Sequence, residues 1–341
     1  MGNLLLIIVL YLLFLPLSGC TSGDLIKPPQ TYHSGSLNPE LAQKVLSLNP
    51  EALSEFDVLE VLSRCPAPRI LALDGSIRIV SMESFARFLV AMGYPESQVR
   101  NPFDGSYSYN SSMDSAQLAG MIAWYYEQEG LRPILIGHSQ GGMLTVKLLH
   151  ELAGTFQKEI PVWNPLTRQP EKRWSFRDPL TGQDRPVTGL RLGFASAVGT
   201  GKGMRRILLQ WDMLKHLRNI PGSIDEFTGF HLQYDLISGT LLGVNEDDHY
   251  RSIGSSRVRN VTLPRECSHL GIPSNEQLAA QKESRAWIYR YRPGNASGDE
   301  SPPGIHKNIV FAADVWYSIR KHWCRDLQQL IRARGLDKGR T

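Results

Sequence analysis

Apolar and polar residues alternate along the chain in blocks that predict strands and helices in turn. Short apolar runs, such as those in 69–73 and 134–136, are typical of buried strands. Longer runs with apolar residues at helical spacing, such as 114–129, predict amphipathic helices. Strands that alternate with helices indicate an α/β fold with a mostly parallel sheet and helices on both faces. We predict strands over 69–73, 99–102, 134–136, 190–195, 229–234 and 258–263, and helices over 39–48, 50–63, 82–92, 114–129, 141–152, 204–218 and 309–333.

One segment, 155–187, interrupts this alternation. It is dense in proline and charge, and it contains Trp163, Trp174 and Phe176. A loop of this length without regular structure is usually functional or mobile when it lies inside a compact domain. We predict a lid-like insertion over the carboxyl edge of the sheet. The alternative is a surface excursion whose aromatic residues form a small core of their own.

The N-terminus has a pattern of its own. Residues 4–15 are unbroken apolar, which is short for a membrane span but fits the apolar region of a signal peptide. The run ends in LSGC at 17–20, which resembles the lipobox of bacterial lipoproteins. That resemblance implies a signal peptide over 1–19, lipidation of Cys20, and attachment to the membrane of a bacterial cell envelope. If the host has an outer membrane, Thr21 favours that membrane on its periplasmic side. The alternative is an uncleaved N-terminal anchor, since neither Lys nor Arg precedes the apolar run.

Composition and charge exclude some classes of protein. The 341 residues are 42% hydrophobic and 21% charged, which is ordinary for a globular chain. A net charge of +4 over this length, without a basic tract, gives no indication of nucleic-acid binding. Beyond Cys20 there are only Cys65, Cys267 and Cys324, so at least one thiol is free or pairs between chains. Residues 20–38, rich in Ser, Gly, Pro and Thr, predict a flexible tether.

The motif Gly137-His138-Ser139-Gln140-Gly141 fits G-x-S-x-G, in which a serine lies on a sharp turn between a strand and a helix. We expect a strained backbone at Ser139 and clashes for any larger side chain at Gly137 or Gly141. The exposed hydroxyl would lie at a helix N-terminus, which favours an anion. His138 is expected to pack behind the turn, because neighbouring residues at a strand end point to opposite faces.

In this setting the motif resembles that of the α/β-hydrolase superfamily, over roughly 69–280. The resemblance implies an α/β-hydrolase fold across 39–341 and a nucleophilic Ser139. It also implies an oxyanion hole made by the backbone N–H groups of Gln140 and of a second residue in the loop after the first strand. That loop reads Asp74-Gly75-Ser76, and the alignment favours Ser76, with Gly75 as the alternative.

The superfamily order of Ser, acid and His directs the search for the base and the acid. His269 follows the last predicted strand on a loop, and His249 and His306 are the alternatives. Asp235 ends the preceding strand, where it can hold the imidazole tautomer. Asp247 and Asp248 are rival acids.

The resulting interpretation is a lipid-anchored serine hydrolase, similar to esterases and lipases, that cleaves an acyl ester or lipid substrate. No cofactor is implied, and no recognised metal-ligand spacing occurs. Two alternatives stay open: an acyltransferase or amidase with the same triad, and a non-catalytic envelope lipoprotein that uses the fold as a binding module.

Overall fold

The computed structural model describes residues 39–76, 81–201, 211–235, 237, 244, 246–294 and 307–337. The signal peptide, Cys20, the tether and His306 lie outside the described residues, and so does most of the first half of the helix expected over 204–218. Within the described residues no helix has the length and apolar character needed to cross a membrane.

A five-stranded parallel sheet forms the centre of the molecule, as the alternating pattern predicts. Its strands are β1, β2, β7, β9 and β11, in that spatial order. Small two-stranded ladders complete the strand content of the described residues. The strands are β1 (Ile70–Leu73), β2 (Ile134–His138), β3 (Trp163–Asn164), β4 (Gln169–Pro170), β5 (Ser175–Arg177), β6 (Asp184–Pro186), β7 (Leu192–Val198), β8 (Asn219–Ile220), β9 (Ile224–His231), β10 (Arg251–Ser252) and β11 (Arg257–Thr262).

Helices cover both faces of this sheet, and each face has its own hydrophobic core. Alternate strand residues point to opposite faces: Ile70 and Ile136 pack in one core, whereas Leu71 and Leu135 pack in the other. The helices are α1 (Pro39–Ser47), α2 (Glu83–Ala91), α3 (Ser115–Glu129), α4 (Gln140–Leu152), α5 (Trp211–Leu214), α6 (Glu276–Ala280), α7 (Lys282–Arg290) and α8 (Ile309–Asp337). Core residues of α1, α2, α7 and α8 lie on the first face and those of α3 and α4 on the second.

The strand predicted over 99–102 is wrong. Val99 follows the 3-10 turn Glu96–Gln98, and its N–H donates to the Glu96 carbonyl rather than to a neighbouring strand. Val99 is buried, so it is apolar because it packs in the core and not because it belongs to a strand of the sheet. The position beside β1 is instead taken by Tyr109, which forms a parallel bridge with Leu73.

The helix predicted over 50–63 is interrupted. The 3-10 turn Pro50–Ala52 is separated from a helical stretch over 55–64, which includes the π turn Asp57–Val61 and the 3-10 turn Leu62–Arg64. Leu53 is extended, with φ −64° and ψ 130°, which ends the first turn. The Asp57 carboxylate then accepts the Ser54 N–H at 2.8 Å, so a side chain takes a donor that a continuous helix would use.

The insertion 155–187 is not structureless. It forms two small hairpins, β3 with β4 and β5 with β6. Phe176 is fully buried and its ring centroid lies 5.7 Å from that of Tyr126 on α3. Trp163 packs at the edge of the same core, whereas Trp174 is 52% exposed. Two of the three aromatic residues therefore anchor the insertion to α3.

Candidate active site

Ser139 lies on the tight turn between β2 and α4, at the carboxyl edge of the sheet. Its backbone has φ 53° and ψ −114°, a region that non-glycine residues rarely adopt. The Ser139 N–H donates to the carbonyl of Val198, the last residue of β7, at 2.8 Å. This bond between neighbouring strands holds the strained turn in place, and the strain predicted from the motif is confirmed.

The glycines of the motif are required by close backbone contacts. A Cβ at Gly137 would lie 2.4 Å from the Gly141 carbonyl oxygen, and one at Gly141 would lie 2.3 Å from the Leu73 carbonyl oxygen. A Cβ at Gly142 would lie 2.3 Å from Thr200 Cγ2, which is a side-chain contact. At Gly137 and Gly141 no larger side chain fits without moving backbone, as the sequence predicts for these two positions.

The structure brings His269 and Asp235 together at the same edge of the sheet. The His269 Nδ1 atom lies 2.7 Å from Asp235 Oδ2, across 34 positions of sequence. The two side chains are 5% and 1% exposed, so the pair is almost completely shielded from water. The imidazole packs on Gly199, where a Cβ would come within 3.1 Å of the ring. Gly199 follows Val198, which binds the Ser139 N–H, so this contact links the pair to the serine turn.

Ser139 Oγ makes no hydrogen bond to His269 within the described part of the chain. Catalytic hydrogen bonds are often longer in ligand-free enzymes and shorten when substrate binds. The contacts through Gly199 and His138 place the imidazole and the serine turn as neighbours. Ser139 is thus a neighbour of the carboxylate-paired His269, without a direct hydrogen bond between the two side chains in the described residues.

His138 packs behind the serine turn, as expected from its position in the strand. It is 1% exposed, and its ring centroid lies 4.8 Å from that of His269. Its Nε2 atom lies 2.8 Å from the His269 carbonyl oxygen, which requires that Nε2 carry the proton. Burial lowers the pKa of His138 to about 4, and the neighbouring His269 adds to this effect. A neutral His138 therefore holds the backbone of the loop that carries His269.

The loop after β1 lies against the serine turn. A Cβ built on Gly75 would lie 3.4 Å from Ser139 Cβ. The Asp74 carboxylate shapes the loop by accepting the Met82 N–H at 2.7 Å and the Ser108 hydroxyl at 2.9 Å. Burial raises the pKa of Asp74 despite these bonds. The donor assigned to Ser76 stays a prediction, and residues 77–80 lie outside the described part of the chain.

Gln140 begins α4, so its N–H has no acceptor one turn earlier in the helix. This leaves the amide available to an oxyanion, which is the role predicted for it. The side-chain amide of Gln140 lies 3.4 Å from the Ser111 carbonyl oxygen. The Ser111 hydroxyl in turn donates to the Gly75 carbonyl at 3.1 Å. The chain near Ser111 therefore connects the two candidate donor segments, a link that sequence reasoning missed.

The rival residues occupy a different place. Asp247 and Asp248 belong to the 3-10 turn Glu246–Asp248, and the Asp247 side chain is 85% exposed at 3.8 Å from Arg251. The ring of His249 lies 5.3 Å from that of His231. The structure thus pairs His269 with Asp235, which the sequence interpretation had placed first.

The described residues contain no group of three or more His, Cys, Asp or Glu side chains placed to hold a metal ion. Cys65, Cys267 and Cys324 are free and buried. Burial raises the pKa of the Cys65 thiol to about 11 and those of Cys267 and Cys324 to about 12, so these thiols stay protonated and poorly nucleophilic.

Comparison of the chain with protein-family models, curated proteins and solved structures finds no match. The class that the fold defines is an α/β protein with a parallel central sheet and helices on both faces. Its candidate active site lies at the carboxyl edge, where ligands bind in open sheets of this kind. Any function has to be argued from Ser139, His269 and Asp235 themselves.

Proposed function

We propose that the protein is a serine hydrolase of the α/β-hydrolase type that cleaves carboxylic esters. The observation that carries the proposal is the buried pair of His269 and Asp235, at 2.7 Å, beside the strained Ser139 turn. The order along the sheet supports it: the serine follows β2, the acid follows β9 and the histidine follows β11. This is the Ser, acid, His order of the superfamily that the motif resembles.

In the proposed mechanism each side chain has a separate role. A carboxylate beside His269 Nδ1 keeps the proton on that nitrogen, which leaves Nε2 free to accept one. His269 takes the Ser139 proton as the hydroxyl attacks the ester carbonyl carbon. The electron pair of the C=O π bond moves to the carbonyl oxygen and gives an oxyanion. The backbone N–H groups of Gln140 and Ser76 donate hydrogen bonds to this oxyanion. His269 then donates the proton to the leaving alcohol, and a water molecule releases the acid from Ser139 by the same steps.

A fluorophosphonate probe tests the nucleophile directly. The probe should label Ser139 in the wild-type protein, as located by peptide mass spectrometry, and should not label Ser139→Ala. Ser47→Ala is a matched control, since Ser47 is exposed at the end of α1 and its hydroxyl, among the described residues, bonds only to the Lys44 carbonyl. An unlabelled wild-type protein would favour the non-catalytic binding module instead.

Acyl transfer is the second candidate, because the same acyl-enzyme can react with an alcohol instead of water. Product analysis of p-nitrophenyl butyrate turnover with added glycerol separates the two. Free butyrate as the dominant product supports hydrolysis. A glyceryl ester as the dominant product identifies a transferase.

The proposed location is the bacterial envelope, with a lipid on Cys20 and the membrane as partner. The support is LSGC at 17–20 after an apolar run, all outside the described residues. Mature protein should begin at a lipidated Cys20 and partition with membranes, and Cys20→Ala should block processing there. An intact Met1 terminus on the wild-type protein, found by mass spectrometry, would contradict this location.

A further inference from the structure

A cavity of about 460 Å³ lies beside the loop after β1. Asp74 lines one side of it, and Trp163 and Arg168 of the insertion line another. Sites for small molecules in proteins enclose about 300–1,000 Å³. The cavity is therefore large enough for a ligand, and it is built partly by the segment that interrupts the sequence pattern.

The cavity adjoins the candidate active site. Asp74 lines it, and the next residue, Gly75, is in contact distance of Ser139. Asn110 and Ser112 also line it, while Ser111 between them bonds to the Gly75 carbonyl. Two segments that line the cavity are therefore continuous with residues that contact the serine turn or the loop beside it.

Aromatic and apolar groups form part of the walls. Phe103 is 44% exposed, and the Arg168 guanidinium lies over its ring at 4.3 Å from the centroid. Trp163, Met113 and Met121 add further apolar surface. The guanidinium covers one face of the Phe103 ring, so the exposed part of that ring and the Trp163 indole are the aromatic surface available to a ligand with an apolar face.

Hydrogen-bonding groups around these walls have unused capacity. Within the described part of the chain, the side chains of Gln117 and Ser112 make no hydrogen bond, although both line the cavity. A ligand with several hydroxyl groups would satisfy the donors and acceptors of these two side chains.

The charge of the lining argues against an anionic ligand, and its polarity argues against a long acyl chain. Asp74 and Asp104 face one cation, Arg168, so the lining is close to neutral and slightly acidic. Both Asp74 oxygens already accept bonds, from Met82 and Ser108. An acyl chain would strip water from many polar groups and give them no partner.

We propose that this cavity binds a neutral saccharide. Sugar rings present an apolar C–H face to aromatic rings and hydroxyl groups at their edges, which matches the walls described above. If the proposed hydrolase function holds, on which this second step rests, the saccharide is the polyhydroxylated part of the ester that Ser139 cleaves. The binding step itself does not depend on catalysis.

Isothermal titration of the full-length protein with cellobiose, maltose, lactose and chitobiose tests the binding step. At least one disaccharide should bind, and Trp163→Ala should weaken that binding about tenfold. Trp174→Ala is the matched control, because Trp174 lies in the same insertion but is 52% exposed and does not line the cavity. It should leave the affinity unchanged.

A second variant protects the test against misfolding, since Trp163 packs at the edge of the core. Gln117→Ala removes one half-buried side chain from the first turn of α3 and should weaken binding about fivefold. Gln128→Ala, on the same helix but outside the cavity, is its control. Equal losses in variant and control would overturn the proposal, and so would binding of octanoate in place of every disaccharide or no binding at all.

These outcomes are separable from failure of the hydrolase itself. Fluorophosphonate labelling at Ser139 without disaccharide binding refutes the cavity proposal and leaves the hydrolase intact. Trp163-dependent disaccharide binding without labelling refutes the hydrolase and leaves a saccharide-binding protein. If both hold, Trp163→Ala should lower kcat/KM for an acetylated disaccharide by a larger factor than kcat/KM for p-nitrophenyl acetate.

Discussion

The two edges of the parallel sheet are built in opposite ways. At the amino edge, Arg132 precedes β2 and donates to Asp326 at 2.5 Å and to Asp225 at 2.8 Å. Arg191 precedes β7 and pairs with the same Asp225. At the carboxyl edge, Ser139 has a strained backbone, and its hydroxyl makes no hydrogen bond within the described residues. Charges are matched at one edge, whereas polar groups are left available at the other.

The amino ends of the strands therefore carry contacts that stabilise the fold, whereas the carboxyl ends carry the candidate active site. A partly buried arginine with two carboxylate partners stabilises the sheet only while all members are present. A strained serine turn persists only because surrounding contacts hold it, and such strain is concentrated at functional sites. Changes at the carboxyl edge should therefore abolish activity without unfolding the protein. Changes at the amino edge should lower the stability of the protein and leave its activity nearly unchanged.

The largest effect should come from Ser139→Ala and His269→Ala. Each should lower kcat for ester hydrolysis by about 10⁴-fold or more, because the serine and the histidine act as one unit. The double variant should be little worse than either single one. Steady-state kinetics give the rates, and thermal unfolding should show all three proteins folded. Near-wild-type turnover by His269→Ala would rule out His269 as the base and make His306 the next residue to test.

Asp235→Asn should have the next largest effect. The amide cannot hold the imidazole in the correct tautomer, so kcat should fall about 10²–10⁴-fold. Asp247→Asn and Asp248→Asn are the matched controls and should keep most activity, since both residues belong to a separate turn. If a control loses activity and Asp235→Asn does not, the acid has been misassigned while Ser139 and His269 can stand.

At the amino edge, Asp326→Ala should lower the free energy of unfolding by about 3 kcal/mol, because Arg132 loses a nearly buried partner. Urea unfolding measures this, and kcat should stay within about twofold. Asp184→Ala is the control: its pair with Arg177 is exposed on both sides, so the loss should be under about 1 kcal/mol. A fall in kcat with little change in stability would refute the proposed separation of the edges.

The smallest effect concerns pH. The pKa of His138 is about 4 in the folded protein, below its ordinary value of 6.5. The unfolded chain therefore takes up the proton first, so stability is lost as pH falls from about 6.5 to 4 and is unaffected above that window. His138 should contribute up to about 3 kcal/mol of this loss. In His138→Gln, the free energy of unfolding measured with urea should depend less steeply on pH between pH 4 and 7. Part of the dependence should remain.

The remaining slope in that variant should come from His231. Burial lowers its pKa to about 4 as well, so the direction and the window are the same. The His231 Nε2–H donates to Asn260 Oδ1 at 2.9 Å, and this bond does not remove the effect of burial. An unchanged slope in His138→Gln would show that His138 does not stay neutral behind the serine turn.

The serine turn was predictable from sequence because its constraints are partly local. Gly137 is restricted by Gly141, four positions later, and the positive φ of Ser139 belongs to the turn itself, whereas Gly141 is restricted by the Leu73 carbonyl of β1. The order of strands and helices follows for the same reason, since it depends on the period of apolar residues. The wrong strand at 99–102 shows where prediction from apolar patterns fails. Val99 is apolar because it is buried, and a residue can be buried in a strand or in a turn.

Only the tertiary structure decided which distant residues meet. The sequence favours Asp235 over Asp247 by its place at a strand end but does not show the contact with His269, because the approach of imidazole and carboxylate depends on how β9 and β11 pair and where their loops end. The cavity likewise takes residues from the loop after β1, from 101–121 and from the insertion. Local geometry is fixed by neighbours along the chain, whereas a site is fixed by the register and packing that bring separate segments together.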